Sequence, residues 1–415
     1  MKKIAFLFSG QGSQYAGMGK KDFGISSKFS ETFEKANDIL GYDLQQLCMG
    51  ADIAQLTDTA ITQPAVFTLS IALHEQYKDK LPVPQFMAGH SLGEYTALTC
   101  AGVLSFKDAL TIVQRRGTFM KMATEEGLGT MTAINGLSAE LLASICEEVS
   151  TRSNIVNIAA YNSKDQLVIS GHNTAVEEVG ERCAKLGATV NKLKVSAPFH
   201  SLLMANAGEE LRGELLKYKY NTPACKILSN VTGLPYVNQE VIVENLTSQL
   251  TRPVKWVQCI NYLVNSDVNY CIEIGPGKTL KNLLRSQTGL EAYAIDNQKD
   301  FLHFQTTLSG NINTLSTVVS KCLGISVSIK NNNYNAAEYQ QGVVEPFRAI
   351  KKIQAKLEEQ NMLPAHEDIS AALSFFCTIL NTKKINKKEK IDRLEEVLSG
   401  SGALNLFPVY IPQLN

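Results

Sequence analysis

The sequence predicts an α/β protein: a large α/β subdomain, interrupted by a small βαββαβ subdomain and followed by a helical C-terminal appendage. Three observations predict it. Short apolar runs at 4–8, 86–88 and 270–274 read as buried strands, and each runs into a loop containing glycine. Residues 129–196 change rhythm, with short strands and amphipathic helices in the order βαββαβ, the ferredoxin-like pattern. Beyond residue 345 apolar positions recur at helical spacing.

Taken in order, 4–8 is the first strand and Ser9-Gly-Gln-Gly-Ser-Gln14 its loop. Residues 25–78 alternate helical patterns with short turns. The strand 86–88 enters Gly89-His-Ser-Leu-Gly93, a G-x-S-x-G pattern, with a helix from about Leu92 through Glu94, Tyr95 and Leu98. This is the pattern of a nucleophile elbow, the turn that marks α/β-hydrolase-like subdomains. The flanking glycines let strand and helix backbones come close, and Ser91 is held at the tip. Residues 104–122 read as a helix with Ala109, Ile112 and Val113 on one side and Arg115 and Arg116 toward its end.

Within the small subdomain the strands are 130–134, 155–161, 167–170 and 189–195. Its first helix, 138–149, has Ser138 as N-cap. The second, ending near Leu186, opens with the capping box Thr174-Ala-Val-Glu177. The polar turn 162–165 joins the two middle strands. The body resumes with strands 226–229, 270–274 and 293–296. Gly275-Pro-Gly-Lys-Thr279 lacks the spacing of a phosphate loop and reads as a turn into a helix. Domains are therefore expected at 1–128 with 197–300 (large), 129–196 (small), 301–345 (an asparagine-rich linker) and 346–415 (a helical extension). The extension rests on Phe347, Ile350, Ile353 and Leu357, then Ile369, Leu373 and Phe376, then Ile391, Leu394 and Leu398.

The totals narrow the function. Of 415 residues 44% are hydrophobic and 19% charged, which suits a folded protein. Lys+Arg and Asp+Glu both number 40, so no global field draws the chain to nucleic acid or an anionic membrane. Nine cysteines without a C-x-x-C pair and six dispersed histidines argue against structural zinc and a disulfide framework. The run 4–8 is too short for a signal-peptide core, and no stretch approaches the roughly 18 apolar residues of a membrane span. A cytoplasmic enzyme without metal or cofactor is expected.

Ser91 needs a base. His200, in Ala197-Pro-Phe-His-Ser201, directly follows the strand 189–195, and Pro198 stiffens its loop; the alternative is a structural histidine. A Ser–His pair suffices for acyl transfer if something orients the imidazole, yet no Asp stands out. A neutral acceptor would leave His200 a milder base than in a hydrolase triad. The Leu92 N–H, just after the nucleophile, is one oxyanion donor by geometry, and Gln11 in the first glycine loop is the candidate for the second. Arg116 facing an acyl pocket would pair bidentately with a substrate carboxylate, whereas a solvated Arg115–Arg116 surface pair is the plain alternative. The lysines of 383–390 read as a solvated helix entry or a contact for an acidic partner.

Over about residues 1–298 the chain resembles malonyl-CoA:acyl carrier protein transacylases, the acyltransferases of fatty acid and polyketide synthesis. The ordered motifs carry the resemblance: Phe8-Ser-Gly-Gln-Gly-Ser-Gln14, Thr62-Gln-Pro-Ala65, Gly89-His-Ser-Leu-Gly-Glu-Tyr95, Arg116-Gly117, Ala160-Tyr-Asn-Ser163, Ala197-Pro-Phe-His-Ser201, Asn230-Val-Thr-Gly233, Gln249-Leu250, Pro253-Val-Lys-Trp256 and Glu273-Ile-Gly-Pro-Gly277. It implies Ser91 as the acylated nucleophile and His200 as base, with the Gln249 side-chain carbonyl orienting His200. It implies Gln11 and Leu92 as oxyanion donors and Arg116 as the clamp on the malonyl carboxylate. Asn162, and less directly Gln166, would meet the pantetheine arm; His90 and Gln63 belong to the matched motifs as substrate-site residues. Phe199 would crowd an α-branch and favour malonyl over methylmalonyl. Ser9 stands where many relatives carry proline, which should loosen its loop.

The expected partners are malonyl-CoA and an acyl carrier protein of a polyketide or fatty acid synthase, with no nucleic acid or membrane. The extension favours a freestanding polyketide-synthase acyltransferase over a housekeeping fatty-acid enzyme. An editing acyl hydrolase of the same fold is the nearest rival, and Arg116 speaks against it, since a hydrolase of neutral chains has no use for a buried cation. A non-catalytic carrier-binding module and a generic esterase are more distant.

Overall fold

The computed structural model describes residues 2–50, 53–123, 127, 129–193, 197–285, 290–308, 312–359, 364 and 366–399. It divides into two compact units, 1–297 and 298–415.

The first unit is built on a five-stranded parallel sheet. Its strands are β1 (Lys3–Phe8), β2 (Phe86–Gly89), β7 (Lys226–Leu228), β8 (Val268–Ile274) and β9 (Glu291–Ala294), in the spatial order β7-β2-β1-β8-β9. Five of the six β1 residues and all of β2 are buried, as a parallel sheet covered on both faces requires. In such a sheet the loops leaving the carboxyl ends form the ligand crevice. Those of β1, β2, β7 and β8 carry Gln11, Ser91, Asn230 and Gly275 respectively.

The small subdomain has the expected four strands, β3 (Gly129–Asn135), β4 (Val156–Tyr161), β5 (Gln166–His172) and β6 (Thr189–Lys192), in the antiparallel order β4-β5-β3-β6. Helices Ala139–Val149 and Asn173–Lys185 pack on one face, burying Leu142, Ile145, Val176 and Val179 against Ile158 and Ile169. Ser138 caps the first by accepting from the Leu141 N–H. The capping box at Thr174 does not form. The helix starts two residues earlier, its N-cap His172 makes no side-chain cap, and Thr174 Oγ1 donates to Asn154 Oδ1 instead. The last strand ends at Lys192 within the described residues; 194–196 lie outside them.

The second unit corrects the linker expectation. Helices Gln298–Leu308 and Ile312–Ser328 occupy most of 301–345, and Val318, Val319, Cys322 and Ile325 join one apolar core with Ile350, Leu373, Phe376 and Leu398. After the short helix Ala336–Tyr339 and the π-helical turn Gln340–Val344, the helices Glu345–Glu359, His366–Thr382 and Lys387–Ser399 follow the apolar periods seen in the sequence. Residues 309–311 and 400–415, part of the expected linker and extension, fall outside the described residues. Lys383 is not solvated: its Nζ donates to the Ser326 and Ile329 carbonyls at 2.7 Å each, satisfying the end of Ile312–Ser328. Lys384, Lys387 and Lys388 are exposed.

All nine cysteines are free, seven of them buried. Among the described residues no helix is long and apolar enough to cross a membrane.

Candidate active site

Ser91 sits at the tip of the turn between β2 and the helix Gly93–Cys100, with φ 51°. That left-handed conformation is strained for a residue with a Cβ and must be held by its surroundings. Asn230 holds it. Its Nδ2 donates to the Gly89 carbonyl at 2.7 Å and its Oδ1 accepts from the Ser91 N–H at 2.6 Å. The backbones are as close as the glycine spacing demands: a Cβ on Gly93 would stand 2.1 Å from the Phe8 carbonyl oxygen.

His200 also has positive φ, 60°, and its carbonyl accepts from Asn157 Nδ2 at 3.0 Å. Its Nε2 lies 3.0 Å from Ser91 Oγ and its Nδ1 2.7 Å from the main-chain carbonyl of Gln249. A carbonyl can only accept, so Nδ1 carries the proton and Nε2 presents its lone pair to the serine. Burial, joined by the Arg116 charge, drives the imidazole down to about 3, and the Gln249 carbonyl only partly opposes it. His200 is therefore a neutral base at physiological pH.

The Gln249 side chain does not orient His200, as the resemblance implied; its main chain does. The side chain performs a second task. Its Oε1 accepts from Arg116 Nη2 at 3.0 Å, while Nε2 donates to the Ser91 carbonyl at 3.1 Å and to Glu94 Oε2 at 2.5 Å.

Arg116 is 1% exposed. Ala109, Ile112 and Val113 on the helix Phe106–Met122 set its face, and one more turn places Arg116 inward while Arg115 stays exposed. Nη2 also donates to Ser91 Oγ at 3.1 Å, and Nη1 donates to Gln63 Oε1 at 2.6 Å. Among the described residues Nε has no hydrogen-bond partner and no carboxylate lies within ion-pair distance. Burial pulls the guanidinium below its usual value, though it stays cationic, since an arginine does not give up its proton in a protein. A buried cation surrounded by amide and hydroxyl oxygens is disposed to receive an anion.

Ser91, His200 and Phe199 line a cavity of about 540 Å³ between the large and small subdomains. The β1 loop 10–14 forms one wall, and Asn162 and Gln166 of the small subdomain another. His90 Nε2 lies 2.8 Å from Asn162 Oδ1, and Asn162 Nδ2 donates to Gln166 Oε1 at 3.2 Å, so these three form one polar strip. Burial lowers the His90 pKa. The Leu92 and Gln11 N–H groups make no hydrogen bond among the described residues. Gln63 Nε2 lies within reach of Gln11 Oε1 at 3.4 Å, tying the β1 loop to the arginine. Ser9 does not loosen that loop: its hydroxyl donates to Glu273 Oε1 at 3.0 Å.

Four residues that bear on the site carried no functional expectation: Asn230, Asn157, Glu94 and Tyr236. Glu94 is 1% exposed, and all its partners are donors: Gln249 Nε2, the Asn230 N–H and the Tyr236 hydroxyl. Burial pushes its carboxyl up to about 7 against their pull.

The profile of the acyl transferase domain family matches residues 5–318. A malonyl CoA-acyl carrier protein transacylase of Bacillus subtilis is 35% identical over 399 residues, 94% of this chain and 99% of that protein. The enzyme of the same description from Escherichia coli K12 is 40% identical over 287 residues, covering 69% of this chain and 93% of its own length. Among solved structures, FabD of Acinetobacter baumannii superposes with a TM-score of 0.71 at 34% identity, over 74% of this chain and 98% of that one. A malonyl-transacylase in complex with its type II polyketide synthase acyl-carrier protein superposes equally well, at 36% identity over 74% of this chain and all of that one. By sequence along its length and by fold, the chain belongs to the malonyl-CoA:acyl carrier protein transacylase family of acyltransferases.

Proposed function

We propose that the chain moves a malonyl group from malonyl-CoA to the phosphopantetheine thiol of an acyl carrier protein, through a malonyl ester on Ser91. One observation carries the reading: Ser91 Oγ touches a neutral imidazole on one side and a buried, anion-free guanidinium on the other. The first makes it a nucleophile, and the second selects an acyl group that ends in a carboxylate.

In the first half-reaction Ser91 Oγ attacks the thioester carbonyl as its proton passes to His200 Nε2. The Leu92 and Gln11 N–H groups would receive the oxyanion. Collapse breaks the C–S bond, and His200 returns the proton to the departing coenzyme A thiolate. In the second half-reaction the carrier thiol gives its proton to His200 and attacks the ester, and Ser91 leaves as the hydroxyl. The two halves share one site and one base, giving ping-pong kinetics. Arg116 would release a present partner to pair with the malonyl carboxylate, and Phe199 would crowd a branched α-carbon. The Asn162–Gln166 strip would meet the pantetheine amides. The protein groups the chemistry uses are side chains, main-chain N–H groups and the Gln249 carbonyl of this chain, and the proposal includes no cofactor.

We further propose that the carrier it serves belongs to a polyketide synthase. Its support is the fold shared with a malonyl-transacylase solved in complex with its type II polyketide synthase acyl-carrier protein.

Intact-protein mass spectrometry after mixing with malonyl-, methylmalonyl- and acetyl-CoA tests the reaction. A malonyl adduct is expected that vanishes in Ser91→Ala and moves to added carrier protein. Hydrolysis of acyl carrier protein without an adduct would make the chain an editing hydrolase. Faster transfer to a fatty-acid carrier than to polyketide carriers would reverse the pathway reading.

A further inference from the structure

Glu94 is the only carboxylate hydrogen-bonded to the groups that hold Ser91, His200 and Arg116, among the described residues. It touches none of the reacting atoms. It contacts the one residue that touches all three groups: Gln249 holds His200 through its main chain, and the Ser91 carbonyl and Arg116 through its side chain. A glutamine amide can sit either way round, and its two ends have opposite hydrogen-bonding character. Here Nε2 faces two acceptors, the Ser91 carbonyl and Glu94 Oε2, so Oε1 must face Arg116. Glu94 is itself fixed by the Asn230 N–H and the Tyr236 hydroxyl, both donors.

We propose that Glu94 is a positioning residue for the carboxylate clamp: it locks the Gln249 amide with its oxygen toward Arg116, which keeps the guanidinium beside Ser91 and free of any direct counter-ion. A carboxylate bonded to Arg116 itself would have to be displaced by substrate. One amide between them lets the fold retain a buried anion near the cation without blocking it. The Arg116-contacting end of Gln249 then depends on the Glu94 carboxylate. With Gln at 94 the neighbouring amides can pair in either sense, and in the flipped sense the Gln249 NH₂ opposes the Arg116 N–H groups. The loss therefore falls on acyl groups that need Arg116.

The inference rests on the malonyl reading above. Its test measures second-order rate constants of Ser91 acylation by malonyl-CoA and by acetyl-CoA, in wild type, E94Q, Q249L and the double variant, with thermal melting as the folding control. E94Q is expected to slow malonylation by about 10- to 100-fold and acetylation by less than about 3-fold. Q249L keeps the main-chain carbonyl that anchors His200 but removes the amide that Glu94 holds, so malonylation should fall at least as far as in E94Q. E94Q should then add nothing in the Q249L background, because the two residues act in series. If E94Q fails to fold, E94D, which withdraws the carboxylate by one methylene, should show the selective loss in smaller measure. Equal loss on both substrates, no loss on either, or multiplying losses in the double variant would each overturn the proposal. A wild-type protein that acetylates but never malonylates sinks the malonyl reading itself and takes this inference with it.

Discussion

At the scale of single residues, the chemistry turns on a histidine kept neutral by its burial. His200 is held down to about 3 against an ordinary value of 6.5. The free base persists as pH falls, so acylation should lack the protonation limb near pH 6.5 that a solvated histidine would impose. The sign for stability is the opposite: the unfolded histidine binds a proton that the folded one refuses, so folding weakens as pH drops below about 6.5. Acetyl-CoA is the substrate to use, since a neutral acyl group reports the base without the clamp. A flat acetylation rate between about pH 5 and 8 is expected, and a half-maximal point near 6.5 would show that His200 is hydrated in the working enzyme. Ser91, His200 and Arg116 were legible because each sits on a strong local pattern: an elbow, a loop after a strand, the inward face of a helix. Gln249 was legible only as a position, since a motif does not say whether a main-chain or side-chain carbonyl does the orienting. Glu94 was hidden because an acidic residue in the first turn of a helix reads as dipole compensation. Its burial depends on Tyr236 and Asn230, more than 130 residues away.

At the scale of elements, the elbow works because three backbones occupy space that side chains would fill. A Cβ on Gly93 would lie 2.1 Å from the Phe8 oxygen, and one on Gly10 would lie 2.3 Å from the His90 oxygen. These neighbours are main-chain atoms of β1 and of the elbow, and the buried sheet leaves them nowhere to go. Gly93→Ala should therefore cost about 3 kcal/mol or more in denaturant unfolding and abolish acylation. A variant that melts like wild type would mean that the strand-to-helix approach is looser than these distances. This element was readable because glycine spacing encodes the contact directly. The small subdomain was readable for another reason: strand alternation and helical period are local. Its capping box failed where Thr174 Oγ1 donates to Asn154, a residue before the preceding two strands that the four-residue capping pattern does not include.

At the scale of the whole molecule, the boundary between the two units decides which truncation is safe. A linker over 301–345 invites a cut near 345. That cut would leave Ile312–Ser328 without Glu345–Glu359 and His366–Thr382, exposing Val318, Val319, Cys322 and Ile325 together. Composition masked this helix. Asn331–Asn333, part of what suggested a linker, lie in one turn, where Asn335 caps Ala336–Tyr339 and Asn333 Nδ2 donates to the Thr382 carbonyl at 2.9 Å; Asn311 lies outside the described residues. The apolar residues just before that turn keep helical spacing. A chain ending at Asn297 avoids the damage, because the second compact unit starts at Gln298. The Escherichia coli relative aligns 93% of its length with only 69% of this chain, so a protein of nearly that extent stands alone. The chain ending at Asn297 should be soluble and form the Ser91 adduct at close to the full-length rate, while the chain ending at residue 345 should aggregate. Both are read by the soluble fraction and by intact mass after malonyl-CoA. A soluble shorter chain that forms no adduct would assign the second unit a part in building the site, which the residues now seen around Ser91 do not require.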